Sequence, residues 1–258
     1  MHRLTSPAGI TVSYDRYGSG SPLVLVHGSF SDQLTNWEFV KPLFETQFAV
    51  HAIARRGRGE TDATTGHSIE DEGEDVVALL QSIGEPAFLL GHSYGAHAAL
   101  AAATSAPDRV SKLVLYEAAS PSIVPSAAMA RLEALARAGD WDGVAVAFFR
   151  DQLSVPVKDL EELRSTALWP PIIADATASL NDLRALSRYA FRAERFRGLR
   201  LPTMLQIGSE SPRALYVTDA LAAVLPDVRI ESLAGQAHEG MTTAPEMYAA
   251  AVSRFLLP

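Results

Sequence analysis

The chain has 258 residues, 48% of them hydrophobic, and no cysteine, so it can bury the core of one large domain but excludes disulfides, thiolate metal sites and a cysteine nucleophile. Lys and Arg total 22 against 30 for Asp and Glu, which gives a formal net charge of -8. The longest basic run is Arg55-Arg56-Gly57-Arg58, so the expected partner is a neutral or apolar small molecule rather than nucleic acid.

Along the first half of the chain, short β-rich apolar runs alternate with longer helical patterns. Strands are predicted at residues 10–17, 23–26, 48–53, 87–90 and 110–116. Helices are predicted near residues 35–45, 68–82 and 94–105. This alternation predicts crossover connections, and therefore a mostly parallel, doubly wound α/β sheet.

The second half of the chain begins with a change of pattern. From about residue 118 to residue 198 the strand signal disappears, and helical patterns with Pro and Gly breaks replace it. Strands are predicted again at 203–207 and 228–233, with helices near 213–224 and from Pro245. We interpret residues 1–117 and 199–258 as one α/β core, and residues 118–198 as a helical cap inserted over the sheet.

The pentapeptide Gly91-His92-Ser93-Tyr94-Gly95 matches the pattern G-x-S-x-G. Small residues on both sides of the serine permit a sharp turn that projects its hydroxyl above a sheet. A buried strand is predicted before the pentapeptide and a helix after it, as this turn requires. Ser93 is therefore the predicted nucleophile.

A serine hydroxyl needs a base to remove its proton, and histidine suits that role near neutral pH. The chain has seven histidines: His2, His27, His51, His67, His92, His97 and His238. His238 follows the last predicted strand, and the carboxyl ends of parallel strands converge on one crevice. Serine before histidine is also the chain order found with the G-x-S-x-G turn, so His238 is the predicted general base.

Two main-chain amides are predicted to stabilise the negative charge that develops on a substrate oxygen. One belongs to Tyr94, the residue after the nucleophile, and the other to Ser29, which follows the strand at 23–26. Because the donors are main-chain N–H groups, the identity of the two side chains does not test this assignment.

These motifs together, His27-Gly28-Ser29, the Arg-Gly-Arg-Gly run at 56–59, the pentapeptide and the late His238, resemble the α/β-hydrolase superfamily over nearly the whole chain. The resemblance implies the α/β-hydrolase fold and triad chemistry. Ala54 and Thr61 depart from the usual D-x-R-G-x-G-x-S loop, where Asp and Ser are common. A serine nucleophile disfavours dehalogenation and epoxide opening, which in this superfamily normally pass through an ester on Asp.

The resemblance also offers two candidates for the carboxylate that orients the histidine. In much of the superfamily this acid is an Asp three residues past a Gly, where this chain has Ser211, and Glu210 lies one position earlier. Lactonases and some dehalogenases of the superfamily instead place a Glu after the strand that follows the nucleophile, which corresponds to Glu117. We favour Glu117 because it is expected to be buried beside the nucleophile.

Large apolar side chains fall in loops and helices that can face the crevice, which suits an apolar acyl or alcohol group. The pocket candidates are Phe30, Trp141, Phe149, Trp169 and Met241. The Arg-rich loop at 55–58 is instead expected to be a solvated surface.

The sequence thus predicts a serine hydrolase that cleaves a carboxylic ester or lactone through a Ser-His-Glu triad, with no metal or organic cofactor. One alternative is a C–C hydrolase, or an enzyme in which His238 acts as a base without an acyl-enzyme. Another is a non-catalytic receptor for a small molecule. The chain has no run of eighteen apolar residues and no secretory signal, so we expect a cytoplasmic monomer or homodimer without a membrane partner.

Overall fold

The apolar runs of the sequence form the central strands of a sheet that helices cover on both faces, in a computed structural model that describes residues 1–257. The strands are β1 (His2–Thr5), β2 (Thr11–Tyr17), β3 (Ser21–Val26), β4 (Phe48–Ile53), β5 (Ala87–His92), β6 (Val110–Tyr116), β7 (Thr203–Gly208) and β8 (Val228–Leu233). Their order in the sheet is β1-β2-β4-β3-β5-β6-β7-β8. Strand β2 is antiparallel to both neighbours, and β3 to β8 are parallel, which confirms the predicted fold class.

Helices connect the parallel strands and occupy the segment between β6 and β7. They are α1 (Lys41–Phe44), α2 (Ile69–Ile83), α3 (Tyr94–Ser105), α4 (Ser126–Arg137), α5 (Trp141–Ala147), α6 (Val157–Arg164), α7 (Trp169–Arg188), α8 (Thr218–Ala222), α9 (Gly240–Thr243) and α10 (Pro245–Leu256). Residues 118–198, called the helical segment below, contribute no strand to the sheet. The exact boundaries of a cap domain stay a prediction.

The sheet separates two apolar cores, because successive side chains of a strand point to opposite faces. Val24 and Val26 of β3 pack with α2 and α3, whereas Leu23 and Leu25 pack on the other face with α1 and α10. A third cluster fills the helical segment and also includes Phe30. The helical segment therefore shares part of its core with the loop that follows β3.

Strand register brings the ends of four strands to one edge of the sheet. Val26 pairs with Gly91, His92 with Tyr116, and Tyr116 with Gln206. Because β3, β5, β6 and β7 are parallel, the residues that follow each of them leave the sheet at this edge. The loops that carry the predicted site therefore start side by side.

Two predicted helices are much shorter than the sequence pattern indicates. At 35–45 only Lys41–Phe44 is α-helical, because the Asp32 carboxylate accepts hydrogen bonds from the amides of Leu34 and Thr35 in a local turn. At 213–224 only Thr218–Ala222 is α-helical, because the preceding residues pair with the chain after β6 through a bridge between Tyr216 and Ala119. Local polar groups and tertiary pairing override helix periodicity in these places.

None of the helices formed by residues 1–257 combines the length and apolar character that crossing a membrane requires.

Candidate active site

Ser93 lies on a sharp turn between β5 and α3, as the pentapeptide predicts. Its backbone is in a rarely populated conformation (φ 54°, ψ -120°), which costs a non-glycine residue about 1–3 kcal/mol. The flanking glycines permit the turn: a Cβ at Gly95 would lie 2.2 Å from the His27 carbonyl oxygen, and one at Gly91 would lie 2.6 Å from the Ala96 Cα. The backbone strain therefore lies at the residue whose hydroxyl projects above the sheet.

The imidazole of His238 lies within hydrogen-bond distance of the nucleophile. Its Nε2 is 3.0 Å from the Ser93 Oγ, and its loop lies between β8 and α9. Main-chain contacts fix this loop, because the Tyr116 hydroxyl donates to the Ala237 carbonyl and His92 Nε2 lies 3.2 Å from the His238 carbonyl. The ring of Tyr216 stacks on the imidazole at 5.3 Å between centroids.

Glu117, rather than Glu210, contacts this histidine. Its Oε2 is 2.6 Å from His238 Nδ1, and its Oε1 accepts a hydrogen bond of 2.7 Å from the Gly208 amide. The Glu117 side chain is fully buried, and its backbone has a positive φ of 48° directly after β6. Glu210 is exposed and accepts a hydrogen bond from the adjacent Ser209 hydroxyl.

Proximity shifts the pKa values of both partners toward the ion pair. Burial disfavours a charged imidazole, but the hydrogen bond and the charge of Glu117 outweigh it, so the pKa of His238 is raised. Burial likewise disfavours the Glu117 carboxylate, but its hydrogen bonds and the charge of His238 outweigh it, so its pKa is lowered. Glu117 therefore stays ionised and stabilises the protonated form of His238.

Ser211 lies where much of the superfamily has its acid. Its side chain is buried after β7, its hydroxyl makes no hydrogen bond among residues 1–257, and it is close enough to the Glu117 carboxylate to help lower the pKa of that acid. The hydroxyl of Tyr216 faces the same carboxylate, and burial together with Glu117 raises the pKa of Tyr216. The hydroxyls of Ser211 and Tyr216 thus lie near Glu117, which follows the neighbouring strand β6.

The two proposed oxyanion amides lie next to Ser93 without protein acceptors. Tyr94 is the first residue of α3, so its amide has no partner within the helix. The Ser29 amide has no acceptor among residues 1–257. Gly28 packs against the nucleophile, because a Cβ placed on it would lie 3.2 Å from the Ser93 Cβ.

Backbone strain is concentrated at this site. Among residues 1–257, four non-glycine residues have a positive φ, and three of them are Phe30, Ser93 and Glu117. The Phe30 amide donates to the Ser179 hydroxyl of α7 at 2.5 Å, so the helical segment holds this strained loop. Such strain persists only where surrounding contacts over-determine it, and it is common at functional sites.

The prediction of a solvated Arg-rich loop is wrong. The side chains of Arg55 and Arg58 are 1% and 2% exposed, and both bind the fully buried Asp182 of α7 at 2.7 Å. Arg55 also pairs with Glu72 of α2, and Arg58 with Asp175 of α7. A signal was present in the sequence, because positions 175, 179 and 182 of a predicted helical stretch form one polar stripe with helical spacing.

The structure separates the pocket candidates. Phe30 and Phe149 lie 5.4 Å apart between ring centroids, and Phe148 stacks on Phe30 at 4.9 Å. Trp169 packs on Phe149 and donates its indole N–H to Asp142, so it belongs to the interior of the helical segment.

Pocket roles for the other two candidates, Met241 and Trp141, stay predictions. Met241 is 1% exposed in the core formed with α10. Trp141 lies with Glu133, Arg137 and Arg184 in a surface groove of the helical segment.

Two clusters of potential metal ligands occur among residues 1–257: His92 with His238 and Glu239, and His67 with Glu72 and Asp182. In the first, His238 is already engaged with Ser93 and Glu117. In the second, both carboxylates already bind the guanidinium of Arg55. His238, Glu72 and Asp182 are therefore already occupied by protein partners.

Residues 23–251 match the profile of the alpha/beta hydrolase family, and the chain belongs to this family. A curated relative over almost the whole length is the 2-(acetamidomethylene)succinate hydrolase of Mesorhizobium japonicum, 26% identical over 96% of this chain and 92% of the relative. A shorter match is the 2-hydroxymuconate semialdehyde hydrolase of a Pseudomonas species, 33% identical over 45% of this chain and 42% of the relative.

Solved structures agree with this assignment. An α/β hydrolase from Sphaerobacter thermophilus is 29% identical, with a TM-score of 0.86 over 99% of this chain and all of its own. An enol-lactonase from Burkholderia xenovorans is 19% identical, with a TM-score of 0.81 over 99% of both chains, and shows the fold.

Proposed function

We propose that the protein is a serine hydrolase that cleaves a carboxylic ester or lactone through an acyl-enzyme on Ser93. The observation that carries the proposal is the continuous chain of contacts from Ser93 Oγ through His238 to Glu117, at 3.0 Å and 2.6 Å. A nucleophile, a base and a buried orienting acid in this geometry are the elements of triad catalysis.

Each group has a defined task in this reaction. His238 Nε2 takes the proton of Ser93 as Oγ attacks the substrate carbonyl carbon, and the carbonyl oxygen becomes an oxyanion. The amides of Ser29 and Tyr94 are aimed to stabilise that oxyanion. His238 then protonates the leaving alkoxide, and in a second half-reaction it activates water to release the acid and restore the Ser93 hydroxyl.

Glu117 supports both half-reactions from one fixed position. Its hydrogen bond holds the tautomer in which Nδ1 carries the proton, so that Nε2 is free to act as a base. Its negative charge stabilises the imidazolium that forms in both half-reactions. The raised pKa of His238 and the lowered pKa of Glu117 reflect this attraction.

The side chains around the site favour a neutral, apolar substrate. Phe30 stacks against Phe148 and Phe149 next to the proposed oxyanion loop. Arg55 and Arg58 are already neutralised by buried carboxylates, so neither is free to bind a substrate carboxylate. For this reason we favour an ester or lactone over a dicarboxylate such as the one in the name of the Mesorhizobium relative.

Labelling combined with turnover tests the proposal. A fluorophosphonate is expected to add once per chain to the wild type, and nitrophenyl esters of short acids or a γ-lactone should be hydrolysed. Ser93→Ala should abolish both, with kcat reduced by about 10⁴-fold or more. Ser105→Ala, on the exposed end of α3 where its hydroxyl binds Glu74, is the matched control and should retain both.

The results separate the alternatives. Labelling of Ser93 without turnover of any ester or lactone would support a C–C hydrolase or a receptor instead. Ester turnover that survives Ser93→Ala would contradict the acyl-enzyme.

A further inference from the structure

Arg55 lies buried behind the loop that carries Ser29, with 1% of its side chain exposed. We infer that Arg55 is a positioning residue that orients both proposed oxyanion amides, those of Ser29 and Tyr94. The inference rests on the proposed serine-hydrolase function. Arg55 follows β4 in sequence and contacts neither Ser93 nor His238 through a hydrogen bond, so it acts through other residues.

The first connection runs through the peptide group between Gly28 and Ser29. Arg55 Nη2 donates to the Gly28 carbonyl at 2.8 Å. In a trans peptide the C=O and N–H bonds point in opposite directions, so fixing the carbonyl fixes the direction of the Ser29 amide. The donor at the carbonyl end therefore determines where the proposed oxyanion donor points.

His27 reinforces the same carbonyl. Its Nδ1 is 2.8 Å from the Gly28 oxygen, and its Nε2 is 3.1 Å from the Arg55 amide, which can only donate. The ring is therefore neutral with its proton on Nδ1, and burial together with the charge of Arg55 lowers the pKa of His27. The Ser31 hydroxyl also donates to this oxygen at 3.3 Å, so three donors hold the Gly28 carbonyl, and one of them is the Arg55 guanidinium.

The second connection runs through the side chain of Tyr94. The guanidinium carbon of Arg55 lies 4.6 Å from the centre of the Tyr94 ring, a favourable cation–π distance. The Tyr94 hydroxyl donates to Glu72 at 3.3 Å, and Glu72 pairs with Arg55 Nη1 at 2.9 Å. Arg55 therefore holds the first residue of α3, whose amide is the other proposed donor.

Helix α7 completes the arrangement from the opposite side. Asp182 binds Arg55 at 2.7 Å and also accepts a hydrogen bond of 2.8 Å from the Ser29 hydroxyl. Ser179, one turn earlier, accepts the Phe30 amide and donates to Asp175 at 2.6 Å. The strained loop is thus held between Arg55 below and α7 above, which links the helical segment to the proposed chemistry.

Arg56 provides a matched comparison in the same loop. It is also buried and ion-paired, to Asp75 at 2.6 Å, and it has further contacts with Thr64 and the Asp71 carbonyl. Its hydrogen-bond partners do not include the Gly28–Phe30 loop or Tyr94. Substituting either arginine by lysine keeps the positive charge but removes the planar guanidinium. Arg55→Lys therefore loses the guanidinium contacts to the Gly28 carbonyl and the Tyr94 ring, whereas Arg56→Lys loses those to Asp75.

Arg55→Lys and Arg56→Lys are compared by steady-state kinetics on a nitrophenyl ester. Arg55→Lys should lower kcat about 10- to 100-fold with KM changed by less than about threefold, because oxyanion donors act in the transition state. Arg56→Lys should leave kcat within about twofold of the wild type. Equal kcat values for the two variants would overturn the inference, while wild-type turnover would leave the proposed function standing.

A milder pair of variants covers the case in which Arg55→Lys does not fold. Ser179→Ala should lower kcat by about tenfold with little change in KM, and Ser179→Thr, which restores a hydroxyl, should recover it. Ser187→Ala, on the same helix with its hydroxyl on the Arg184 carbonyl, is the control. A drop in stability without this split between kcat and KM would show that the position of this loop does not set the oxyanion donors, and would overturn the premise on which the role of Arg55 rests.

One measurement does not depend on turnover. In ¹⁵N-labelled protein, the Ser29 amide resonance should shift or broaden in Arg55→Lys and not in Arg56→Lys. If the wild type hydrolyses no ester, the proposed function fails, and this resonance still decides whether the loop is positioned as inferred. An unchanged Ser29 resonance in Arg55→Lys contradicts the positioning.

Discussion

Two fully buried carboxylates, one in contact with His238 and one with the Ser29 hydroxyl, are held in opposite ways. Glu117 faces His238, whose charge changes in the proposed reaction, whereas Asp182 faces Arg55 and Arg58, which are always charged. Burial opposes ionisation of both acids, and in both cases the cationic partners prevail, so both pKa values are lowered. Glu117 therefore responds to the proton transfer in the proposed reaction, whereas Asp182 holds the surrounding structure in place.

The largest expected effect is on the responsive acid. Glu117→Gln should lower kcat by about 10³- to 10⁴-fold, because the amide no longer holds the productive tautomer or stabilises the imidazolium. The measurement is kcat with saturating nitrophenyl ester. Glu210→Gln is the matched control, since this glutamate is exposed one residue from Ser211, and should change kcat by less than about twofold.

On the scaffold side, the expected effect is on stability. Asp182→Ala leaves two buried guanidiniums without their shared partner and should lower the free energy of unfolding by about 3–5 kcal/mol. Asp219→Ala removes an exposed partner of Arg213 and should cost at most about 1 kcal/mol. Urea unfolding of the two variants measures the difference, and equal midpoints would show that the buried network does not stabilise the fold.

A carboxylate introduced at position 211 tests whether the acid that contacts His238 must come from position 117. Ser211 lies close to Glu117 after the adjacent strand. Adding Ser211→Asp to Glu117→Gln should recover kcat by about tenfold or more, because a carboxylate again reaches the imidazole. If the double variant stays as inactive as Glu117→Gln, the geometry at β7 does not accept the acid.

The pH dependence gives the smallest and most diagnostic effect. Only neutral His238 accepts the Ser93 proton, and its pKa is raised, so kcat/KM should increase as the pH rises through that pKa. Glu117→Gln removes the anion that raises it, so the acid limb should move to lower pH. An acid limb in the same position for both proteins would mean that Glu117 does not set the protonation of His238.

Much of the fold and the centre of the site were predictable because their signals are local. Alternating and continuous apolar runs predicted the strands from β2 to β8. The glycines on both sides of Ser93 predicted the sharp turn. Chain order selected His238. The preference for Glu117 over Glu210 followed from expected burial, and the structure places Glu117 against His238.

The remaining features depend on contacts between distant parts of the chain. Arg58 and Asp182 are 124 positions apart, so their pairing has no local signature, and composition alone suggested a solvated loop. The role of Phe148 depends on how the helical segment folds back over Phe30.

The position of Ser211 bears on how such active sites evolve. If Ser211→Asp restores activity as predicted, positions 117 and 211 can each present a carboxylate to His238 from adjacent strands, and a lineage can gain one before it loses the other. The acid can then move between strands through active intermediates. The strand that carries the acid would accordingly record ancestry among related chains rather than the reaction they perform.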